Sequence, residues 1–464
     1  MVDLTLLSAQ ALVAGYASGD FSPVDVAAAC LAKIERLNPI YNAFCLVDAE
    51  TALAQARDSM ARWQAGTPRS PIDGVPTSIK DLIWVRGWPT MRGSKLLAGT
   101  PVADADAPSV ERLRSFGAVF LGKTTTPEFG WKGIGDSPLT GITRNPWDPS
   151  KTAGGSSAGA AVAAALGMGV LHLGTDGGGS IRMPAGFCGV FGIKPTFGRV
   201  PAYPASPVGL LAHIGPIARG VDDAARMLQA MAARDSRDVY SLPDDPTSWI
   251  GEREKGIAGL RIGFSPTLGG AKVDAEIAAA VANAAVLLAE LGAVVELAEP
   301  AMGDLRDAFY RLWTGGISRA LQAYPPERWT ACDPGLVAST RAGLALSAAD
   351  YLAADAVRVR AGEAMAKFHE TYDLLLTPQL PTTAFAAGQD VASPDQSYWI
   401  DWTPFTYPFN MTRQPAASVP LGLHSNGLPM ALQLVGRLYE DRAVLRAAYA
   451  IERAKPWPFP AKTT

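Results

Sequence analysis

The stretch Gly177-Gly178-Gly179-Ser180 holds residue types that could do acyl chemistry. A serine placed after three glycines can attack a carbonyl while consecutive backbone N–H groups, unobstructed by side chains, receive the oxyanion that forms. Glycine also permits the φ/ψ values that aim several amides at one point. Taken alone, a G-G-G-S turn before a helix is more often tight packing or a phosphate cradle. A P-loop, however, wants lysine directly after its glycines, and neither this stretch nor Gly154-Gly155-Ser156-Ser157-Ala158-Gly159 has one.

A serine nucleophile needs a proton acceptor. Histidine is the usual one, yet the chain has only His172, His213, His369 and His424, and no G-x-S-x-G elbow. His172 is near Ser180 in sequence, but residues 170–173 read as a strand, where a histidine is more often packed than catalytic. A Ser–Lys arrangement is the physical alternative. Burial disfavours the ammonium and lowers the lysine pKa until a neutral amine can take a proton.

Three ordered segments resemble the amidase signature enzymes. They are Gly74-Val75-Pro76-Thr77-Ser78-Ile79-Lys80-Asp81, then Gly154 to Gly159 as above, then Gly174-Thr175-Asp176-Gly177-Gly178-Gly179-Ser180-Ile181-Arg182. Looser similarity spans nearly the whole chain, including Asn145-Pro146-Trp147, Gly192-Ile193-Lys194-Pro195-Thr196 and Gln414-Pro415-Ala416-Ala417. The resemblance implies an α/β fold with a large mixed β-sheet sandwiched between helices. It also implies a Ser-Ser-Lys triad whose middle serine follows a cis peptide bond. Carried over position by position, Lys80 is the base, Ser156 the proton relay and Ser180 the nucleophile. The backbone amides of Gly177, Gly178, Gly179 and Ser180 become the oxyanion hole. Asp176 and Arg182 orient that loop without touching substrate, Ser157 is structural, and the acyl pocket lies near Gly130 and Trp131. No metal or cofactor is implied. Two departures stand out: Gly177 where the family commonly has Thr, expected to loosen the loop, and Ala158 where it commonly has Gly, expected to narrow its surroundings.

The elements that must position these residues follow from local pattern. Helices are predicted over about 5–17, 23–37 and 49–65, the second opened by Ser22-Pro23-Val24-Asp25 and stopped by Asn38-Pro39. Residues 77–83 alternate enough to be a strand carrying Lys80. A helix over about 107–116 and the apolar run 118–121 begin a helix–strand alternation typical of an α/β core. Gly154 to Gly159 opens a further helix, and strands are expected at 260–264, 374–377, 417–421 and 431–435, with a helix over about 273–291. A single domain over 1–464 is expected. It comprises N-terminal helices in 1–66, the catalytic motifs in 67–220, a polar surface excursion at 233–256 and the rest of the α/β core in 257–464.

Composition bounds the remaining classes. At 48% apolar and 18% charged residues, the 464-residue chain is too apolar for disorder. A net charge of −3 without a long Lys/Arg run argues against nucleic acid. Residues 158–173 are apolar but shorter than the roughly 20 residues a bilayer needs, so a buried helix and strand are expected there rather than a membrane anchor. The first 32 residues lack Lys and Arg, so no charged signal region is read and the protein is taken to begin near Met1. Cys30, Cys45, Cys188 and Cys332 are scattered, which fits a reducing cytoplasm. Quaternary expectation is a homodimer. The expected reaction cleaves a small apolar or aryl-containing amide to acid plus ammonia or amine through an acyl-Ser180 intermediate. The aromatic segment 402–409 could supply the pocket or equally the core, and Arg413 could meet a substrate carboxylate or simply lie at the surface. Two alternatives remain: the glutaminase subunit of a tRNA-dependent amidotransferase, against which Pro127-Glu128-Phe129-Gly130-Trp131-Lys132 speaks, and an inactive amide-binding module.

Overall fold

A computed structural model describes residues 2–245 and 247–460. Met1, Pro246 within the expected excursion, and 461–464 lie outside the described residues.

The strands are β1 (Phe44–Val47), β2 (Pro76–Lys80), β3 (Val119–Thr124), β4 (Asp136–Ser137), β5 (Gly141–Ile142), β6 (Leu171–Asp176), β7 (Phe191–Lys194), β8 (His213–Ala218), β9 (Arg261–Phe264), β10 (Val294–Leu297), β11 (Leu374–Pro378), β12 (Ala416–Leu423) and β13 (Pro429–Gly436). Eleven of them form one sheet in the order β1-β3-β2-β6-β8-β7-β12-β13-β11-β9-β10, while β4 and β5 pair separately. The sheet is mixed: β3, β2 and β6 run parallel, as do β11, β9 and β10, and the strands from β6 through β8, β7, β12 and β13 to β11 pair antiparallel. Every residue of β2, β3, β7, β8, β11 and β13 is buried. That pattern means both sheet faces are covered, as the near-continuous apolar strands require. This large mixed sheet with its covering helices is the fold class expected from the sequence.

The helix Ala158–Leu166 is buried at every position and packs on β2, β3, β6 and β8. Small residues make this possible. A Cβ on Gly159 would stand 2.1 Å from the Ala43 carbonyl oxygen, so only glycine fits there. The narrowing expected from Ala158 is absorbed by Gly135, where a Cβ would come within 2.4 Å of the Ala158 methyl. The apolar stretch 158–173 is therefore this helix followed by a turn and the start of β6.

Elsewhere the structure differs from expectation. The helix opened by the Ser22–Asp25 capping box runs past Pro39 to Tyr41, ending where Asn42 takes φ 53 and donates its N–H to the Asn38 carbonyl. Asn38 itself caps the exit through Oδ1, which accepts from the amides of Ala43 and Phe44. Between β10 and β11 lie three helices that were not expected from the sequence: Arg306–Gln322, Pro334–Leu344 and Ala348–Thr371. Local signals exist for the last two. Asp333 caps a Pro334 start, and Ser347 forms a capping box with Asp350. Within 233–256, Val239 and Tyr240 are exposed, whereas Trp249 is buried, with the guanidinium groups of Arg199 and Arg442 against its ring, anchoring the segment.

Candidate active site

Lys80 closes β2, where the parallel neighbours β3 and β6 leave it wholly buried. Its Nζ lies 2.8 Å from Ser156 Oγ, 2.9 Å from Ser157 Oγ and 2.9 Å from Thr175 Oγ1. Among the described residues, no carboxylate bonds to it. Burial pushes its pKa well below the usual lysine range, and the charge of Asp176 only partly opposes that shift. Three hydroxyls suit either protonation state, since an ammonium donates to all three, whereas a neutral amine donates to two and accepts from one. The Ser157 hydroxyl donates to the Thr175 carbonyl at 3.1 Å, so toward Lys80 it acts as an acceptor. Ser156 is thus free to face the amine as donor.

The Gly155–Ser156 peptide is cis. A Cβ on Gly155 would collide with the Ile134 carbonyl oxygen at 2.3 Å, which explains glycine before this serine. Ser157 ties the two serine segments together, its amide donating to the Ser180 carbonyl at 3.0 Å. Ser156 and Ser180, 2% and 3% exposed, line one cavity of about 130 Å³ together with Thr175 and Gly177.

The glycine loop before Ser180 is held from below. Asp176 Oδ1 accepts from the Gly179 amide at 2.7 Å and Oδ2 from the Ile181 amide at 3.1 Å. Both oxygens also meet Arg182, at 3.0 Å each, and Asn410 Nδ2 adds a bond at 2.8 Å. Burial alone would raise the Asp176 pKa, but Arg182, Lys194 and Asn410 hold it well below the usual carboxylate range. Arg182 spends its remaining donors on the Thr406 carbonyl, Gln433 Oε1 and Asn410 Oδ1. The Gly179 amide corrects one expectation. It points at Asp176 and is unavailable to an oxyanion, whereas the amides of Gly177, Gly178 and Ser180 donate to no group among the described residues.

Only Gly179 of the three glycines needs a positive φ, at 124°. The other two are small for lack of room. A Cβ on Gly178 would stand 2.8 Å from both Phe309 and Trp399, and one on Gly177 would stand 3.0 Å from the Trp313 indole. Instead of loosening the loop, Gly177 therefore admits Trp313 against it.

Gly130 lines the cavity, but the Trp131 side chain does not. It lies behind, tilted against Tyr398, while its carbonyl accepts from Trp313 Nε1 at 3.0 Å. The aromatic segment 402–409 is core: Trp402 stacks on Phe187, Tyr407 on Phe309, and Thr406 Oγ1 donates to the Gly178 carbonyl at 2.8 Å. Arg413 is away from the cavity, over the Phe197 ring. The apolar lining comes instead from Leu82, Phe129, Tyr203, Val208, Trp313 and Ile317. His213 also lines it. Its Nδ1 faces the carbonyls of Leu211 and Asp176, which makes Nδ1 the protonated nitrogen; burial and nearby Lys194 push its pKa well below the usual histidine range. His172, by contrast, is packed on β6 with Nδ1 at 2.8 Å from Ser78 Oγ, as a strand histidine should be. Tyr203, His213 and Trp313 carry no local sequence signal, because three separate segments bring them to one place.

Known proteins resemble this chain along nearly its whole length. The amidase family profile matches residues 25–445. An acylamidase of Rhodococcus erythropolis is 37% identical over 98% of this chain and 97% of its own. A glutamyl-tRNA(Gln) amidotransferase subunit from Symbiobacterium thermophilum is 35% identical over 97% of this chain and 96% of its own. Among solved structures, a bacterial aryl acylamidase of the amidase signature family superposes with a TM-score of 0.91 at 31% identity, covering 97% of this chain and 96% of that one. A 6-aminohexanoate cyclic dimer hydrolase bound to substrate gives 0.89 at 28% identity, covering 99% of each. A profile match across nine-tenths of the length, and relatives aligned end to end, leave one assignment: the chain belongs to the amidase signature family.

Proposed function

We propose that this enzyme hydrolyses a carboxylic amide to acid plus ammonia or amine through an acyl-Ser180 intermediate, with Lys80 as base and Ser156 as relay. The observation that carries the reading is the buried Lys80 amine, bonded to three hydroxyls and, among the described residues, to no carboxylate. Ser180 Oγ attacks the carbonyl and passes its proton to Ser156, whose own proton moves to neutral Lys80. The oxyanion is received by the amides of Gly177, Gly178 and Ser180; one such donor is worth about 2.7–4 kcal/mol. Collapse breaks the C–N bond, and the nitrogen leaves with the proton returned through Ser156. Water then attacks the acyl-Ser180 ester by the same relay, releasing the acid and restoring the serine.

The apolar walls, with Phe129, Tyr203 and Trp313, support an apolar or aryl body on the substrate. Similarity to an acylamidase and an aryl acylamidase points the same way. Similarity to the amidotransferase component favours a second reading, glutaminase action within a larger complex. Amine or ammonia release from aliphatic amides, aryl amides, anilides and glutamine, with Ser180→Ala alongside, separates the two. Turnover of anilides lost in the variant supports the hydrolase, whereas glutamine-only turnover that needs a partner protein overturns it. No helix among the described residues is long and apolar enough to cross a membrane. Four free cysteines support the cytoplasm as the compartment.

A further inference from the structure

Arg92 has no role in the chemistry above, yet it lines the same cavity as Ser156 and Ser180. It sits in a turn after β2 with φ 51, a conformation uncommon for a non-glycine residue. The turn is fixed on both sides. The Arg92 amide donates to the Asp81 carbonyl at 3.1 Å, and its carbonyl accepts from the Phe129 amide at 2.7 Å. At the next position, Gly93, a Cβ would stand 2.6 Å from the Thr126 carbonyl oxygen. Backbone strain held this firmly is characteristic of ligand clamps.

The guanidinium is mostly buried and makes no hydrogen bond or ion pair with any described residue. Asp81, whose charge favours the guanidinium, does not bond to it: Oδ1 accepts from the Met91 amide at 3.1 Å and lies 3.4 Å from Lys123 Nζ, and Oδ2 has no hydrogen-bond partner among the described residues. The other titratable groups lining the cavity carry no free charge toward it. Asp176 is consumed by Arg182, Asn410 and two amides, and His213 is neutral. Arg92 is thus a cation without a bonded counter-ion among the described residues, beside the apolar walls of Leu82, Ile83 and Phe129. A buried guanidinium without a counter-ion is costly, and a planar carboxylate offers it paired, charge-assisted bonds.

We propose that Arg92 anchors a carboxylate on the substrate, so that the preferred amide is an anionic one with an apolar or aryl body. This rests on Ser180 being the reacting centre. The same cavity offers no free carboxylate for an ammonium, so amides that also carry a free α-amino group, glutamine among them, bind poorly.

Equilibrium binding to Ser180→Ala tests this without relying on turnover. The probes are 4-anilino-4-oxobutanoate and N-benzoylglycine, which carry the carboxylate on opposite sides of the amide, each against its methyl ester. At least one acid binds about 10- to 100-fold more tightly than its ester, more so at low salt, and the gap closes in Ser180→Ala/Arg92→Leu. Arg92→Gly, which accepts the positive φ, gives the same result if the leucine variant fails to fold. Equal affinity for acid and ester in both pairs, or a preference that survives loss of Arg92, overturns the proposal. Wild-type turnover of the same probes is read separately. Binding preference without hydrolysis of any probe sinks the acyl-Ser180 reading while leaving the carboxylate site standing.

Discussion

Two buried lysines stand on adjacent parallel strands, and their surroundings give them different chemistry. Lys80, at the end of β2, meets only hydroxyls. Lys123, in β3, donates to Thr90 Oγ1 at 2.6 Å and lies 3.4 Å from the Asp81 carboxylate, both members of the pair being almost fully buried. Burial lowers both pKa values, but the Asp81 charge restores part of the shift at Lys123, whereas Lys80 has only the more distant push of Asp176. Two consecutive residues, Lys80 and Asp81, therefore serve opposite ends. One amine is desolvated, which favours its neutral form, and one carboxylate lies against a neighbouring amine and favours its charged form. Burial alone does not make a lysine a candidate base; the lack of a bonded carboxylate is what separates Lys80 from Lys123.

The sharpest way to break this contrast is Lys80→Met. It is expected to lower kcat by about 10²–10⁴-fold at saturating substrate, the usual worth of a general base, with little change in thermal unfolding. Lys123→Met should do the reverse. It strands Asp81 in the interior and costs about 3–5 kcal/mol of stability, read as a lowered midpoint in urea, while kcat of the folded enzyme stays within a few-fold of wild type. If instead Lys123→Met abolishes kcat in the folded protein, the two lysines do not divide the work as described.

The pH profile sharpens the same point. Lys80 must be neutral to accept a proton, so kcat/KM rises with pH through its pKa and then levels. Because burial lowers that pKa, the rising limb falls below the free-lysine range near 10.4. A limb at or above that range would show that Lys80 is not desolvated in solution. Gly177→Ala should have the smallest effect. Its Cβ meets Trp313 at 3.0 Å, so the indole must give by a few tenths of an ångström. KM for an aryl amide is expected to change a few-fold with kcat nearly unchanged, as steady-state kinetics would show.

Much of the fold is legible because it is written locally. Short apolar runs mark β9, β11, β12 and β13, and Ser22-Pro23 with Asp25 marks a helix start that the structure keeps. The stop expected at Asn38-Pro39 fails, because a single proline near a helix end removes one bond that packing and the Asn42 exit can replace. The pocket departs from expectation for a different reason. Aromatics clustered at 402–409 resemble a binding wall, but the chain folds them behind the glycine loop as core. The wall itself comes from Phe129, Tyr203 and Trp313, which are far apart in sequence.

Near-neighbour pattern in the chain marked the helix–strand alternation and the glycine-rich turns, because each depends on residues within a few positions, while the mixed sheet and the candidate triad Lys80, Ser156 and Ser180 came from the resemblance of three ordered segments to a known family. Which groups are actually available was settled by tertiary packing. It committed the Gly179 amide to Asp176, seated Trp313 against Gly177, fixed the His213 tautomer through two carbonyls and left Arg92 without a partner. Availability is a matter of what remains unsatisfied after long-range packing has paired everything else, and no local pattern records that.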